Sequence, residues 1–326
     1  ANIILYAKNT EVEIIINNAQ IQLKYMEASK SLVASSIVTG KTFLKTIATD
    51  SEVVNCIKEV VHNPTFGKGT ALIFDTPEGN SISFTLYDSN PFLFVQQTFR
   101  NKGINEIDIQ TKKLLSFSID LQKPTSELKT LGTGGLLDVD KNPGSYVFLT
   151  TVDPATRNGV VSGWLTNEKG SGVLFSKTEK ELVQIDAKIE YGHFRIPAGK
   201  TENSETFVIG FFDDARLGEE QFADVLAKEN KIKLRERSAV YCTWYSEKNG
   251  GAGSEASSIE MADFIGKNLK KYGLGVVQID DLWQDGAKYN GPTRGFDRVR
   301  TEIFKGGTGI DGKKFPELKP TYPNGM

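Results

Sequence analysis

An antiparallel β-sandwich followed by the opening βαβ of an α/β domain is the fold class this sequence predicts. Three observations carry that expectation. Up to about residue 212 the chain is a succession of short runs with period-two alternation or β-branched and aromatic enrichment, separated by turn signals. Around Asp213 the apolar period changes to that of a helix. From Ser238 onward two short apolar runs flank one amphipathic helical pattern, the order and length that a crossover between parallel strands needs. At 326 residues the chain is also long for one core and suits two domains.

The strand runs of residues 1–212 include 12–16, 82–87, 146–151, 172–175 and 207–212. Between them lie Thr76-Pro77-Glu78-Gly79-Asn80, Asn142-Pro143-Gly144 and Pro197-Ala198-Gly199, rich in the residues that set turn dihedrals. Many short strands with such punctuation indicate a sandwich. Two glycine-rich spots invite a phosphate-loop reading and do not sustain it. Gly67-Lys68-Gly69-Thr70 lacks the P-loop spacing and its strand-to-helix context, and Gly132-Thr133-Gly134-Gly135 reads as a turn. A helical stretch follows at residues 213–237. Asp213 or Asp214 would cap it, and Leu217, Phe222, Val225 and Leu226 would share one face. It is the expected connector between the sandwich of residues 1–212 and the α/β part of residues 238–326.

The third part begins with Ser238-Ala239-Val240-Tyr241-Cys242-Thr243-Trp244-Tyr245, an apolar run ending in aromatics. Ser257 and Glu260 have the spacing of a capping box, Ile259, Ala262, Ile265, Leu269 and Tyr272 recur at helical intervals, and Gly273 supplies a left-handed stop. Then comes Val276-Val277-Gln278-Ile279-Asp280-Asp281-Leu282-Trp283-Gln284, whose first four residues read as a parallel strand covered on both faces. Parallel strands place ligands at their carboxyl ends. Trp244 and the pair Asp280-Asp281 are therefore expected at one end of two neighbouring strands. Taken alone, two adjacent carboxylates are a helix N-cap with a solvated neighbour. In a half-buried place their like charges need a polar ligand, a cation or a hydrogen-bond network. Residues 290–320, rich in Gly and Lys and without periodicity, read as a long loop that would shape the rim.

The run Tyr241-Cys242-Thr243-Trp244-Tyr245 and the run Gln278-Ile279-Asp280-Asp281-Leu282-Trp283-Gln284, with Phe315-Pro316 and Pro320-Thr321-Tyr322-Pro323-Asn324-Gly325-Met326 after them, resemble the start of a known catalytic domain. It is the (β/α)8 TIM barrel of the α-galactosidase group, and above all of glycoside hydrolase family 36 with its raffinose-synthase-like members. Residues 153–165 are similar to the N-terminal sandwich of some relatives. The resemblance implies an oligosaccharide or glycoconjugate substrate with a terminal α-galactosyl group or a close relative. It also implies a retaining mechanism in which two carboxylates work through a covalent intermediate. On that reading Trp244 is the aromatic platform under the sugar, and Asp280 and Asp281 accept hydrogen bonds from its 4- and 6-hydroxyls. Trp283 packs under the site or touches the ligand. These are binding residues; no catalytic residue, cofactor or metal is assigned. The family's nucleophile is the Asp of a Lys-x-Asp motif, and no Lys-x-Asp occurs in this sequence. The expectation is therefore an N-terminal portion of a longer enzyme, with the nucleophile and acid/base beyond residue 326.

Composition narrows the alternatives. A formal charge of -2 with interspersed signs offers no footprint for nucleic acid and no polybasic membrane patch, and no apolar run has the length of a membrane span. His62 and His193 are the only histidines and both fall in the predicted sandwich, which speaks against a histidine metal site or a Ser-His-Asp triad at the strand tips. Cys56 and Cys242 do not make a disulfide framework; Cys242 lies where its side chain could face the cavity, but a free Cys is more often a small buried hydrophobe than a nucleophile. The sequence starts at Ala1 rather than an initiator Met. Either a signal peptide has been removed or the numbering begins at a boundary, so a periplasmic or extracellular place is expected, with the cytoplasm left open. An interface between copies of the chain would suit exposed sandwich edges. Three readings follow: an α-galactosidase-like hydrolase, a raffinose-synthase-like transglycosylase, and a non-catalytic carbohydrate-binding or structural protein. Packing of Trp244 at the barrel rim is the structural alternative to its platform role.

Overall fold

The computed structural model describes residues 12–235, 237–245 and 255–280. The chain divides into two compact units, Ala1–Lys233 and Leu234–Met326. In the first unit the strands run in chain order β1 (Glu13–Asn17), β2 (Ile21–Met26), β3 (Ser31–Ser36), β4 (Thr42–Thr49), β5 (Asn55–Asn63), β6 (Gly67–Asp75), β7 (Ser81–Tyr87), β8 (Leu93–Arg100) and β9 (Ile107–Ile119). They continue as β10 (Lys129–Gly132), β11 (Gly135–Asp138), β12 (Ser145–Tyr146), β13 (Phe148–Val152), β14 (Gly159–Trp164), β15 (Ser171–Glu179), β16 (Leu182–Ile196), β17 (Thr201–Asn203) and β18 (Phe207–Phe212), and helix α1 (Ala215–Glu229) follows. One sheet has the order β1-β2-β3-β4-β9-β16-β15-β12. The other runs β11-β10-β13-β14-β18-β8-β7-β6-β5, with β17 paired to β8. Every pairing in both is antiparallel.

Period-two alternation builds these sheets. Along β16, Val183, Ile185, Ala187 and Ile189 are buried, while Gln184, Asp186, Lys188 and Glu190 between them are not. The buried faces of the two sheets meet in one core. Tyr25 on β2 packs against Phe74 on β6 with ring centroids 4.9 Å apart, Phe43 on β4 against Phe211 on β18 at 5.4 Å, and Phe117 on β9 against Phe207 on β18 at 6.1 Å. In each pair one ring comes from each sheet, which makes the unit a sandwich. The run 146–151, expected as one strand, is two. Val147, at φ +68, breaks it: β12 pairs with β15 in one sheet and β13 with β14 in the other, so the chain changes sheet there. Gly132-Thr133-Gly134-Gly135 is the tight turn between β10 and β11.

Helix α1 covers the outer face of the second sheet. Phe207 and Ile209 of β18 face the sandwich core, whereas Val208 and Phe212 join Val161, Phe222 and Val225 in a second apolar cluster under the helix. The helix sits close because Gly163 and Gly218 carry no side chain: a Cβ at Gly163 would lie 2.6 Å from the Phe222 ring, and one at Gly218 2.5 Å from Phe212. Asp214 is the N-cap, accepting the Arg216 backbone N–H at 3.1 Å. The buried stripe is Ala215, Gly218, Phe222 and Val225, with Leu226 partly buried beside it. Leu217 is 55% exposed and does not share that face, because it lies one residue off the i, i+3, i+7 stripe.

The second unit, within the described residues, is β19 (Ala239–Cys242), α2 (Glu255–Asn268) and β20 (Leu274–Gln278). The two strands are parallel, and α2 packs against β20. Gly273 stops the helical segment at φ +95, as its position in the sequence predicts. Two expectations need correction. The helix begins at Glu255, so Ser257 lies inside it rather than capping it, and the buried residues are Ser258 and Ile265 while Ile259 points outward. Val276 is 41% exposed, not covered on both faces, because β19 is the only strand that pairs with β20 among the described residues.

Candidate active site

Parallel pairing of β19 and β20 brings their carboxyl ends together. The register aligns Cys242 with Gln278, so Thr243-Trp244-Tyr245, a single 3-10 turn, and Asp280, two residues past β20, emerge side by side. Two hydrogen bonds join them. The Cys242 Sγ donates to Asp280 Oδ2 at 3.1 Å, and the Asp280 backbone N–H donates to Thr243 Oγ1 at 3.1 Å. Thr243 is buried and anchors the turn. Trp244 is 39% exposed, so part of its ring faces solvent at the strand end. A half-buried carboxylate and a half-exposed indole at one strand tip can accept a hydrogen bond from a hydroxyl and cover an apolar ring face.

The Cys242 thiol is pushed above its ordinary range. The hydrogen bond it gives to Asp280 is the main cause; burial and the carboxylate's charge add to it, against the opposing backbone N–H of Trp244. The thiol therefore remains protonated at neutral pH and acts as a donor, with little nucleophilic thiolate. Cys242 is thus a half-buried hydrogen-bond donor rather than a fully buried hydrophobe. Its place at a strand end is legible in the sequence, whereas the contact with Asp280 depends on the register of the two strands. The structure thus brings Trp244 and Asp280 together; Asp281, Trp283 and residues 290–320 lie outside the described residues. Among the described residues no three His, Cys, Asp or Glu side chains converge as metal ligands, and no helix is long and apolar enough to cross a membrane. Both cysteines are free, and His193 pairs with Asp108 at 2.7 Å on the sandwich surface.

Two hollows of the sandwich present no aromatic to a ligand. A cleft of about 760 Å³ is lined by polar residues including Lys45, Asp120, Lys123 and Lys180, with Lys45 paired to Asp120 at 3.3 Å. In a smaller one of about 340 Å³ the aromatics are Tyr25 and Phe74, whose rings are spent on each other in the core.

The architecture is mostly antiparallel and has the fold of the N-terminal β-sandwich domain of family 36 glycoside hydrolases. Two solved structures illustrate the likeness. One is the alpha-galactosidase from Lactobacillus brevis, 6% identical, with a TM-score of 0.53 over 86% of this chain and 50% of that one. The other is a variant of the GH36 alpha-galactosidase AgaA from Geobacillus stearothermophilus in complex with raffinose, 10% identical, with a TM-score of 0.51 over 97% of this chain and 54% of that one. At these identities the likeness is one of fold. The chain spans about half the length of each of these two structures. No protein-family profile matches the sequence, and no curated protein sequence does.

Proposed function

We propose that this chain works as part of a glycoside hydrolase acting on terminal α-galactosides or related sugars by a retaining double displacement. Residues 1–212 form the sandwich, 213–237 the connector, and 238–326 open the catalytic barrel. The observation that carries the reading is the strand tip, where Trp244 and Asp280 stand together and the neighbouring strand fastens Asp280 at two points. Trp244 would carry the apolar face of the sugar, Asp280 and Asp281 would accept hydrogen bonds from its 4- and 6-hydroxyls, and Trp283 would pack under the site or touch the ligand. A charge-assisted hydrogen bond is stronger than a neutral one, and a sugar lacking the hydroxyl would leave the acceptor unpaired. The family's nucleophile and acid/base are not matched by any Lys-x-Asp here; in this proposal they belong to residues outside the sequence. The fold likeness to alpha-galactosidases and the half-length coverage support that division.

Calorimetric titration of D-galactose against the full natural chain and its Trp244→Ala variant tests the reading. Removing the platform is expected to weaken binding about tenfold or more. Unchanged affinity would sink the platform role.

A further inference from the structure

We infer that Cys242 is a positioning residue for Asp280: its thiol holds the carboxylate in the orientation that reads a sugar hydroxyl. The inference rests on the reading of Asp280 as a substrate-binding group and adds a residue to it. Cys242 is the last residue of β19, aligned with Gln278, and Asp280 lies two residues further along on the same side of the neighbouring strand. The Sγ to Oδ2 distance of 3.1 Å fixes the side chain, while the bond from the Asp280 N–H to Thr243 Oγ1 fixes the main chain. Neither contact alone would do both.

The choice of a thiol has a chemical consequence. A lysine or arginine at this place would offset the charge of the carboxylate that must accept the hydroxyl's hydrogen bond. A thiol is a weak, uncharged donor, so it orients Asp280 without itself cancelling the carboxylate's charge. The carboxylate in turn keeps the thiol protonated, so donor and acceptor sustain each other.

The test is steady-state hydrolysis of an aryl α-D-galactoside by the full natural chain, with KM and kcat read separately. Cys242→Ala is expected to raise KM about five- to tenfold, the loss of one hydrogen bond, and to change kcat less. Cys242→Ser, which keeps a donor, is expected to recover most of that loss. In an Asp280→Asn background Cys242→Ala should add little, because the two residues act as one unit. A rise in KM with Asp280→Asn but not with Cys242→Ala overturns the positioning role and leaves Asp280 as a binding residue. No effect of Asp280→Asn overturns both. A Cys242→Ala effect that persists in full in the Asp280→Asn background also overturns the proposal. A second measurement needs no cysteine variant: iodoacetamide should alkylate Cys242 several-fold faster in Asp280→Asn than in the natural chain, since the partner that holds the thiol protonated is gone. Equal rates would show that the contact does not form in solution.

Discussion

A single methyl group at Gly172 tests the sandwich at its tightest point. Gly172 lies on β15 in one sheet, and a Cβ there would collide with Cγ and Cδ1 of Trp164, on β14 of the other sheet, and stand 2.6 Å from Cδ2. Carbon atoms pack best at about 3.5–4.0 Å, so the ring or the strand would have to move by about 1 Å. Neither has room. Trp164 is fully buried with its ring centroid 4.8 Å from that of Phe207, and Val147 ties both backbones, donating to Gly172 O at 3.0 Å and accepting from the Trp164 N–H at 2.7 Å. Overpacking costs about 1–3 kcal/mol, and a site this confined belongs in the upper half of that range. At about 2–4 °C per kcal/mol for a unit of this size, Gly172→Ala should lower Tm by about 4–12 °C. Urea denaturation followed by far-UV circular dichroism on Gly172→Ala, Trp164→Leu and the double variant measures both the cost and its cause. The smaller side chain should absorb the methyl group, so the double variant should lose less than the sum of the singles by about 1 kcal/mol or more. A Gly172→Ala variant within about 0.5 kcal/mol of the natural chain, or strict additivity, would refute the packing argument.

Three further outcomes follow from individual groups. Arg216 beside Asp214 holds its carboxyl at about 2 against an ordinary 3.8, so its contribution is present above pH 3.8 and is lost as pH falls through about 2. Asp214→Ala should lower the urea midpoint of the first unit at neutral pH by the modest amount of a lost helix cap, and this deficit should shrink as the pH falls from 3.8 toward 2. Burial pushes the Cys56 thiol from 9.0 to about 11, so its contribution is complete below pH 9.0 and lost as pH rises through 11. Cys56→Ala should flatten the alkaline limb of the stability profile over that interval, and an unchanged limb would contradict the burial argument. Gly273→Ala places a Cβ at φ +95, which should destabilise the second unit by about 1 kcal/mol, read as faster amide hydrogen exchange in α2 and β20.

What the sequence made legible follows from how local each signal is. The run 207–212 is β18 residue for residue, because alternate positions face two different apolar layers and both are filled. Gly273 was legible because a left-handed stop is a property of one residue. Val147 was not, since the change of sheet is made by partners far along the chain, Gly172 and Trp164, and a β-branched run looks continuous across it. Leu217 misled because apolarity alone does not fix helical phase; Phe222 and Val225 set the face, and Leu217 falls outside it. At the strand tip, the meeting of Trp244 and Asp280 could be read from two strand ends and a crossover between them. The thiol of Cys242 could not, because its role depends on register, and register in a parallel pair is set by contacts rather than by either strand alone.

The measurement closest to the central claim is the anomeric course of α-galactoside hydrolysis by the full natural chain, followed by NMR from the first turnovers. The account predicts α-galactose as the first product, the signature of a retaining mechanism, and loss of that activity in Asp280→Ala while the protein stays folded. β-Galactose as the first product, or full activity without Asp280, would contradict it.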